Sequence, residues 1–235
     1  MSGLLDLGYG PVVSVIIPSR FRVDLLILCV RSVIQHASVR IEIIVIDDGS
    51  ESGLISKAME PFPEVKCFRN EIPQGFAKAV QRGVDAASGE VVHLLNDDTR
   101  VEAGWLERPL ACFADSRVGA VSPLVLIDDG KPSSSIDSAG DGYSLAGRAF
   151  KRFHRQPRQK SMSGCWVFGA SGSSAFYRKS ALEAVGGFPI EFGAYFEDVE
   201  VSWRLQRAGW RVWFAPESVV WHKVTSSYLN IMVSE

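Results

Sequence analysis

The sequence predicts an α/β fold with a mostly parallel central sheet flanked by helices and a smaller mixed region in its second half. Three observations lead there. The strand candidates of the first half are apolar throughout rather than alternating, as in sheets covered on both faces. They alternate with helical spacings, which implies parallel strands joined by right-handed crossovers. Two of them end in Asp pairs, at the strand ends where such sheets bind ligands.

The elements follow in order. Val12–Ile17 is short, apolar and β-branched, and Pro18 stops it. Asp24–Gln35 places Leu25, Leu28, Ser32 and Val33 on neighbouring helical turns. Ile41–Ile46 is nearly all β-branched and runs into Asp47-Asp48-Gly49-Ser50. Val65–Phe68 is a third strand, and Phe76–Ala87 a helix closing near Gly89. Val91–Leu95 ends in Asn96-Asp97-Asp98, and Val118–Val125 is a fifth strand. Beyond it Asp128–Gly147, rich in Gly, Ser, Asp and Pro, reads as a long loop with room for a hairpin, and Asp128-Asp129-Gly130 as a turn. Arg148–Lys160 holds six Lys/Arg, one His and no acid. Its plain reading is a solvated, mobile loop, because few apolar anchors offset the ordering entropy. Its sharper reading is an acceptor-side lid, or a patch that meets an anionic membrane surface. A run of small residues, 169–174, precedes Ala175-Phe176-Tyr177. Lys179–Val185 and Glu197–Ala208 read as helices, and Trp210–Ala215 and Ser218–Trp221 as two closing strands.

Composition excludes several classes. With 235 residues the chain can bury roughly 70% of its extended surface, enough for a full core without staples. No linker forces a boundary, so one domain over 1–235 is expected. Net charge is −2, which offers no field for nucleic acid or anionic lipid. No apolar run approaches the roughly 18 residues of a membrane span. The first residues lack a charged segment followed by an apolar stretch, so no signal peptide is expected. The four cysteines lie at least 38 residues apart, which suits a reducing cytosol and suggests neither zinc nor redox chemistry.

The acidic clusters carry the chemistry. Adjacent carboxylates after a buried strand, as in Asn96-Asp97-Asp98, suit a hard divalent cation whose shell a phosphate completes. A plain turn is the competing reading. Asp47-Asp48-Gly49-Ser50 is either a strand-to-helix turn or a carboxylate accepting from a nucleobase N–H or a ribose hydroxyl. Glu197-Asp198-x-Glu200 opens a helix, where acids favour the macrodipole. Flanked by Tyr195, Phe196 and Trp203, one of them could instead be a partly desolvated general base. His222 is either structural or the imidazole that completes an Asp-based metal site.

Taken together, these segments resemble glycosyltransferase family 2, inverting nucleotide-sugar transferases of GT-A fold. The matching stretches are VSVIIPSR (13–20), IEIIVIDDGS (41–50), QGFAKAVQRGVDAASGE (74–90), VVHLLNDD (91–98), GGFP (186–189), YFEDVEVSWRLQRAGWRV (195–212) and WHKVTSS (221–227). Their form is similar to the rhamnosyltransferase-like branch. The resemblance implies a nucleotide-binding half at about 12–125 and an acceptor half at about 126–235. It implies Pro18 and Arg20 near the nucleobase, Asp48 on base or ribose, and Gly75 and Phe76 along the nucleotide crevice. It implies Asp98 and His222 as ligands of Mn2+ or Mg2+ with Asp97 beside them, and Asp198 as the catalytic base. Glu197, Trp203 and Arg204 fall on the acceptor side. The implied donor is a dTDP-, UDP- or GDP-linked sugar, and the acceptor a saccharide or lipid-linked saccharide. The implied location is cytoplasmic, with peripheral contact at the inner face of the membrane. Asn96, Gln81, Pro189 and Arg20-Phe21 depart from the common family pattern.

Two other readings compete. A sugar nucleotidyltransferase would need a Gly-rich, Lys-bearing first loop, and Pro18-Ser19-Arg20 has no glycine. A non-catalytic carbohydrate- or partner-binding relative would not need Asp98, Asp198 and His222 together.

Overall fold

The computed structural model describes residues 12–130 and 135–224. The expectation of no leader, read from the first residues, and the last three residues of WHKVTSS concern positions outside the described residues.

The chain runs β1 (Val13–Ser19), α1 (Val23–His36), β2 (Ile41–Asp47), α2 (Leu54–Met59), β3 (Val65–Arg69), α3 (Phe76–Ala86) and β4 (Val91–Leu95). It continues with β5 (Thr99–Val101), α4 (Glu107–Cys112), β6 (Val118–Ile127), β7 (Ile136–Ser138), β8 (Asp141–Tyr143) and β9 (Ala149–Lys151). It closes with β10 (Cys165–Val167), β11 (Ser174–Arg178), α5 (Lys179–Ala184), α6 (Glu197–Arg207) and β12 (Arg211–His222). Among the described residues, a ten-stranded sheet has the path β10-β12-β6-β11-β4-β1-β2-β3, with β5 on β12 and β7 on β6. No helix of the described residues is long and apolar enough to cross a membrane.

The first half follows its sequence. Strands β3, β2, β1 and β4 are mutually parallel. Because side chains alternate between faces, Ile16, Ile44, Ile46, Val92 and Leu94 pack on one side with α3, α5 and α6. Val13, Val15, Ile17, Ile43, Val45, Val91 and Leu95 pack on the other against α1 and Trp105. His93 belongs to this second face, where its ring stacks on Phe176 at 3.8 Å and Nε2 meets Ser174 Oγ at 2.8 Å.

Three features differ from the sequence reading. β6 does not follow β4 in the sheet. The apolar run at Ala175 forms β11, which is antiparallel to both and separates them. The two expected closing strands are one, β12, whose register jumps between Ala215 and Val219. Pro216 lies in that jump, and a residue without N–H cannot continue the ladder. The basic stretch is not a bare loop, since Ala149–Lys151 pairs with Asp141–Tyr143 as a small separate sheet.

Helix α3 crosses β1 closely because Gly83 has no side chain. A Cβ there would lie 2.3 Å from Ile16 Cγ2. Helix propensity alone favours Gly83→Ala by about 1 kcal/mol. Overpacking against a buried β-branched residue costs about 1–3 kcal/mol and is expected to win. Urea unfolding of Gly83→Ala should show lost stability, and a stabilised variant would contradict this packing.

Candidate active site

At the carboxyl ends of the central strands, several segments enclose a cavity of about 350 Å³. The β1–α1 loop supplies Pro18, Arg20, Phe21 and Arg22, and the β4–β5 loop supplies Asn96 and Asp97. Residues 171–173 enter before β11, residues 194–198 around the start of α6, and His222 from the end of β12. Lys151 of β9 completes the wall, so the basic stretch contributes one cation to the site.

The acidic loop after β4 is held by cations and a hydroxyl. Ser19 Oγ donates to Asp97 Oδ2 at 2.7 Å, and Arg22 reaches Asp97 Oδ1 at 3.3 Å and Asp98 Oδ2 at 2.5 Å. Burial pushes the Asp97 carboxyl up to about 6, against the pull of Arg22. His222 Nε2 lies 3.1 Å from Asp98 Oδ1, and its Nδ1 lies 2.9 Å from Asp137 Oδ2. Burial disfavours the imidazolium, but hydrogen bonds to Asp137 and Asp98 outweigh it and push His222 up to about 9. A buried carboxylate oxygen and an imidazole nitrogen converge here, with a second carboxylate on the other ring nitrogen. This donor set fits Mn2+ or Mg2+. Among the described residues no three of His, Cys, Asp and Glu form a ready cage.

The start of α6 is built differently. Tyr195 and Phe196 both have positive φ, 71° and 66°, although neither is glycine. Such backbone costs of order 1–3 kcal/mol per residue and persists only when its surroundings enforce it. The turn brings Glu197 and Asp198 to the cavity. Asp198 Oδ2 accepts from the Gly172 N–H at 2.7 Å, and Oδ1 from the Val199 N–H at 2.8 Å. Gly172 permits this approach, since a Cβ there would lie 3.2 Å from Asp198 Oδ2 and 3.3 Å from Glu197 Oε1. Burial raises the Asp198 carboxyl, and the two N–H groups partly offset that. Glu197 Oε2 is buried without a hydrogen-bond partner among the described residues. Burial, then the Asp198 charge, push Glu197 up to about 8. Asp141 lies close by, raised to about 7 by burial and by Asp198.

The structure thus gathers Pro18, Arg20, Phe76, Asp97, Glu197, Asp198 and His222 around one cavity, with Asp98 bonded to His222 at its edge. Asp48 is placed otherwise. It is 1% exposed, its Oδ1 accepts from Asn70 Nδ2 and the Gln74 N–H, and its Oδ2 accepts from the Gly75 N–H. Asp48 and Gly75 shape the 70–75 loop and are not among the lining residues. Trp203 and Arg204, expected on the acceptor side, are not among them either. On a helix they are turned about 140° and 120° from Asp198. Trp203 packs edge-on to Tyr143 and Phe168, while Arg204 pairs with Glu200 one turn earlier and ties α6 to the carbonyls of Val185 and Gly187. Sequence reasoning missed Arg22, Lys151, Asp137, Asp141 and Gly172. The signals that could have found them are a second basic residue just after β1, a lysine in the basic stretch, and a glycine inside the small-residue run.

Comparison with known proteins gives the family and the fold. Residues 14–186 match the family described as "Glycosyl transferase family 2", and the chain belongs to that family. An N-acetylglucosaminyl-diphospho-decaprenol L-rhamnosyltransferase of Mycobacterium tuberculosis is 26% identical over 209 residues, covering 77% of this chain and 66% of that protein. A crystal structure of GalNAc-T7 with UDP, GalNAc and Mn2+ superposes with TM-score 0.74 at 21% identity, over 90% of this chain and 44% of that one. The mannosyltransferase PcManGT from Pyrobaculum calidifontis, with GDP-Man and Mn2+, gives TM-score 0.68 at 21% identity, over 95% and 60%. The fold is therefore that of GT-A glycosyltransferases. The chain spans about two thirds or less of the length of these matched proteins.

Buried Glu197 makes stability depend on pH. Its carboxyl titrates at 4.5 in a free chain and at about 8 in the fold. Between these values the fold retains a proton that the unfolded chain has released, so stability falls as pH rises through them. Glu197→Gln removes that loss. Its melting temperature should exceed the wild type's above pH 8 and converge with it toward about pH 4. A gain independent of pH would contradict the buried-carboxyl account.

Proposed function

We propose that this chain moves a sugar from a nucleoside-diphosphate sugar to a hydroxyl acceptor, with inversion, assisted by a divalent cation and by Asp198 as general base. The observation that carries the reading is one cavity lined by His222 and Asp97 and also by Glu197 and Asp198. The acidic strand-end loop and the α6 carboxylates thereby address the same bound molecule. The Mn2+ in both solved structures, with UDP and GalNAc in one and GDP-Man in the other, supports the donor and cofactor classes. By its name, the mycobacterial relative acts on a diphospho-decaprenol saccharide, which supports a lipid-linked saccharide as acceptor. Exposed Phe21, Tyr195 and Phe196 on the cavity rim suit the apolar faces of such a substrate.

In this mechanism Asp98 and His222 would hold the metal, and Arg22 keeps the acidic loop in place. When bound, a divalent cation neutralises charge developing on the departing diphosphate. Asp198 accepts the acceptor's hydroxyl proton as the new C–O bond forms and the bond to the diphosphate breaks. The leaving group keeps the bonding electrons, and a single displacement inverts the anomeric carbon. Glu197, raised to about 8, stays protonated at neutral pH and spares Asp198 a second adjacent charge.

Asp198→Asn should bind nucleotide within a few-fold of wild type and lose roughly 10²–10⁴ in turnover. Near-wild-type transfer by this variant would move the base elsewhere. The acid limb of the wild-type pH–rate profile should lie above the ordinary carboxylate range, because burial raises Asp198. A limb near the free Asp value of 3.8 would contradict that environment. In calorimetry, nucleoside diphosphate should bind more weakly after chelation or in Asp98→Ala, and equal affinity with and without Mn2+ would refute the metal assignment.

A further inference from the structure

We propose that Asp137, a residue outside the cavity wall, is the positioning carboxylate that fixes His222 for metal binding. The inference rests on the metal reading of Asp98 and His222 given above. Asp137 lies on β7, which pairs with β6 beside the end of β12. It is fully buried, and Oδ2 stands 2.9 Å from His222 Nδ1. Without a metal the two carboxylates favour the imidazolium; a cation on Nε2, the nitrogen that faces Asp98, would take the place of that proton and leave Nδ1–H donating to Asp137. A carboxylate on the far nitrogen also orients the ring and makes it more basic.

Asp137 is itself held in place. Lys151 Nζ donates to Oδ1 at 3.0 Å and to Oδ2 at 2.9 Å. His154 Nδ1 reaches the Asp137 carbonyl at 2.8 Å, bracing the backbone that carries it. Both partners come from the basic stretch, Lys151 at the end of β9 and His154 just after it, so this segment serves as a strut for the metal ligand. The ammonium of Lys151 compensates a charge that would otherwise sit buried beside Asp98. This explains why an acid without cavity exposure stands in a Gly- and Ser-rich excursion.

The test is Mn2+ affinity measured by electron paramagnetic resonance, without substrate. Wild type, Asp137→Asn and Asp137→Glu are compared, with melting temperature as the control for folding. Loss of a second carboxylate that orients a metal-bound histidine weakens binding roughly 10–100-fold, and this is expected of Asp137→Asn. Asp137→Glu keeps the charge but displaces it. A bystander charge would leave its affinity at wild type, whereas a positioning role weakens it too. Unchanged Mn2+ affinity in both folded variants would overturn the proposal and leave the metal site standing. No Mn2+ binding by wild type would overturn both. A measurement free of variants uses nitrogen-15 NMR of the wild-type imidazole with Zn2+ as a diamagnetic probe. A proton on Nδ1 with Nε2 on the metal is expected, and the reverse arrangement would refute the assignment.

Discussion

Six carboxylates stand in or beside the cavity at the carboxyl end of this sheet. Asp97, Asp98, Asp137, Asp141 and Glu197 are buried, and Asp198 is enclosed except where it meets the cavity. Buried like charges destabilise a fold unless each is paired, hydrogen-bonded or neutralised by a proton. The structure uses all three means. Arg22 takes Asp97 and Asp98, while His222 and Lys151 take Asp137. Backbone N–H groups take Asp198, and protons stay on Glu197 and Asp141 up to about 8 and about 7. Each device comes from a different segment, so the acids bind the two halves of the chain into one site.

Topology makes that convergence possible. β11 runs antiparallel between β4 and β6, and the 171–173 turn before it meets the end of β4, where the Asn96 N–H bonds to Ser173 O. Gly172 is thereby brought under Asp198. The positive φ of Tyr195 and Phe196 then turns the chain so that α6 starts at the cavity with two acids. The macrodipole at that start offsets part of their mutual repulsion.

Much of this was legible from residues. β1 to β4 and the helices α1, α3, α5 and α6 lie within about two residues of their apolar patterns, because packing on both sheet faces imposes those patterns. Asp97, Asp98, Asp198 and His222 stood out as acids or an imidazole at element ends. The strands β7 to β10 did not, since three residues carry no readable period and their partners are distant. Asp48 stood out as well, but that Asn70, Gln74 and Gly75 donate to its oxygens could not be read from the sequence. Arg22, Lys151 and Asp137 were invisible for a related reason. Their role depends on which charge each faces across the fold, and local sequence does not encode that. The 21% identity to proteins solved with UDP and with GDP-mannose shows how little sequence this fold requires.

The account turns on the β4–β5 loop and the α6 start serving one bound substrate. The most direct measurement is a crystal structure with Mn2+ and a nucleoside diphosphate, with data collected for manganese anomalous scattering. The account predicts an anomalous peak bonded to Asp98 and His222, with the diphosphate in the cavity that Asp198 lines. Manganese and nucleotide bound together elsewhere on the molecule would contradict it.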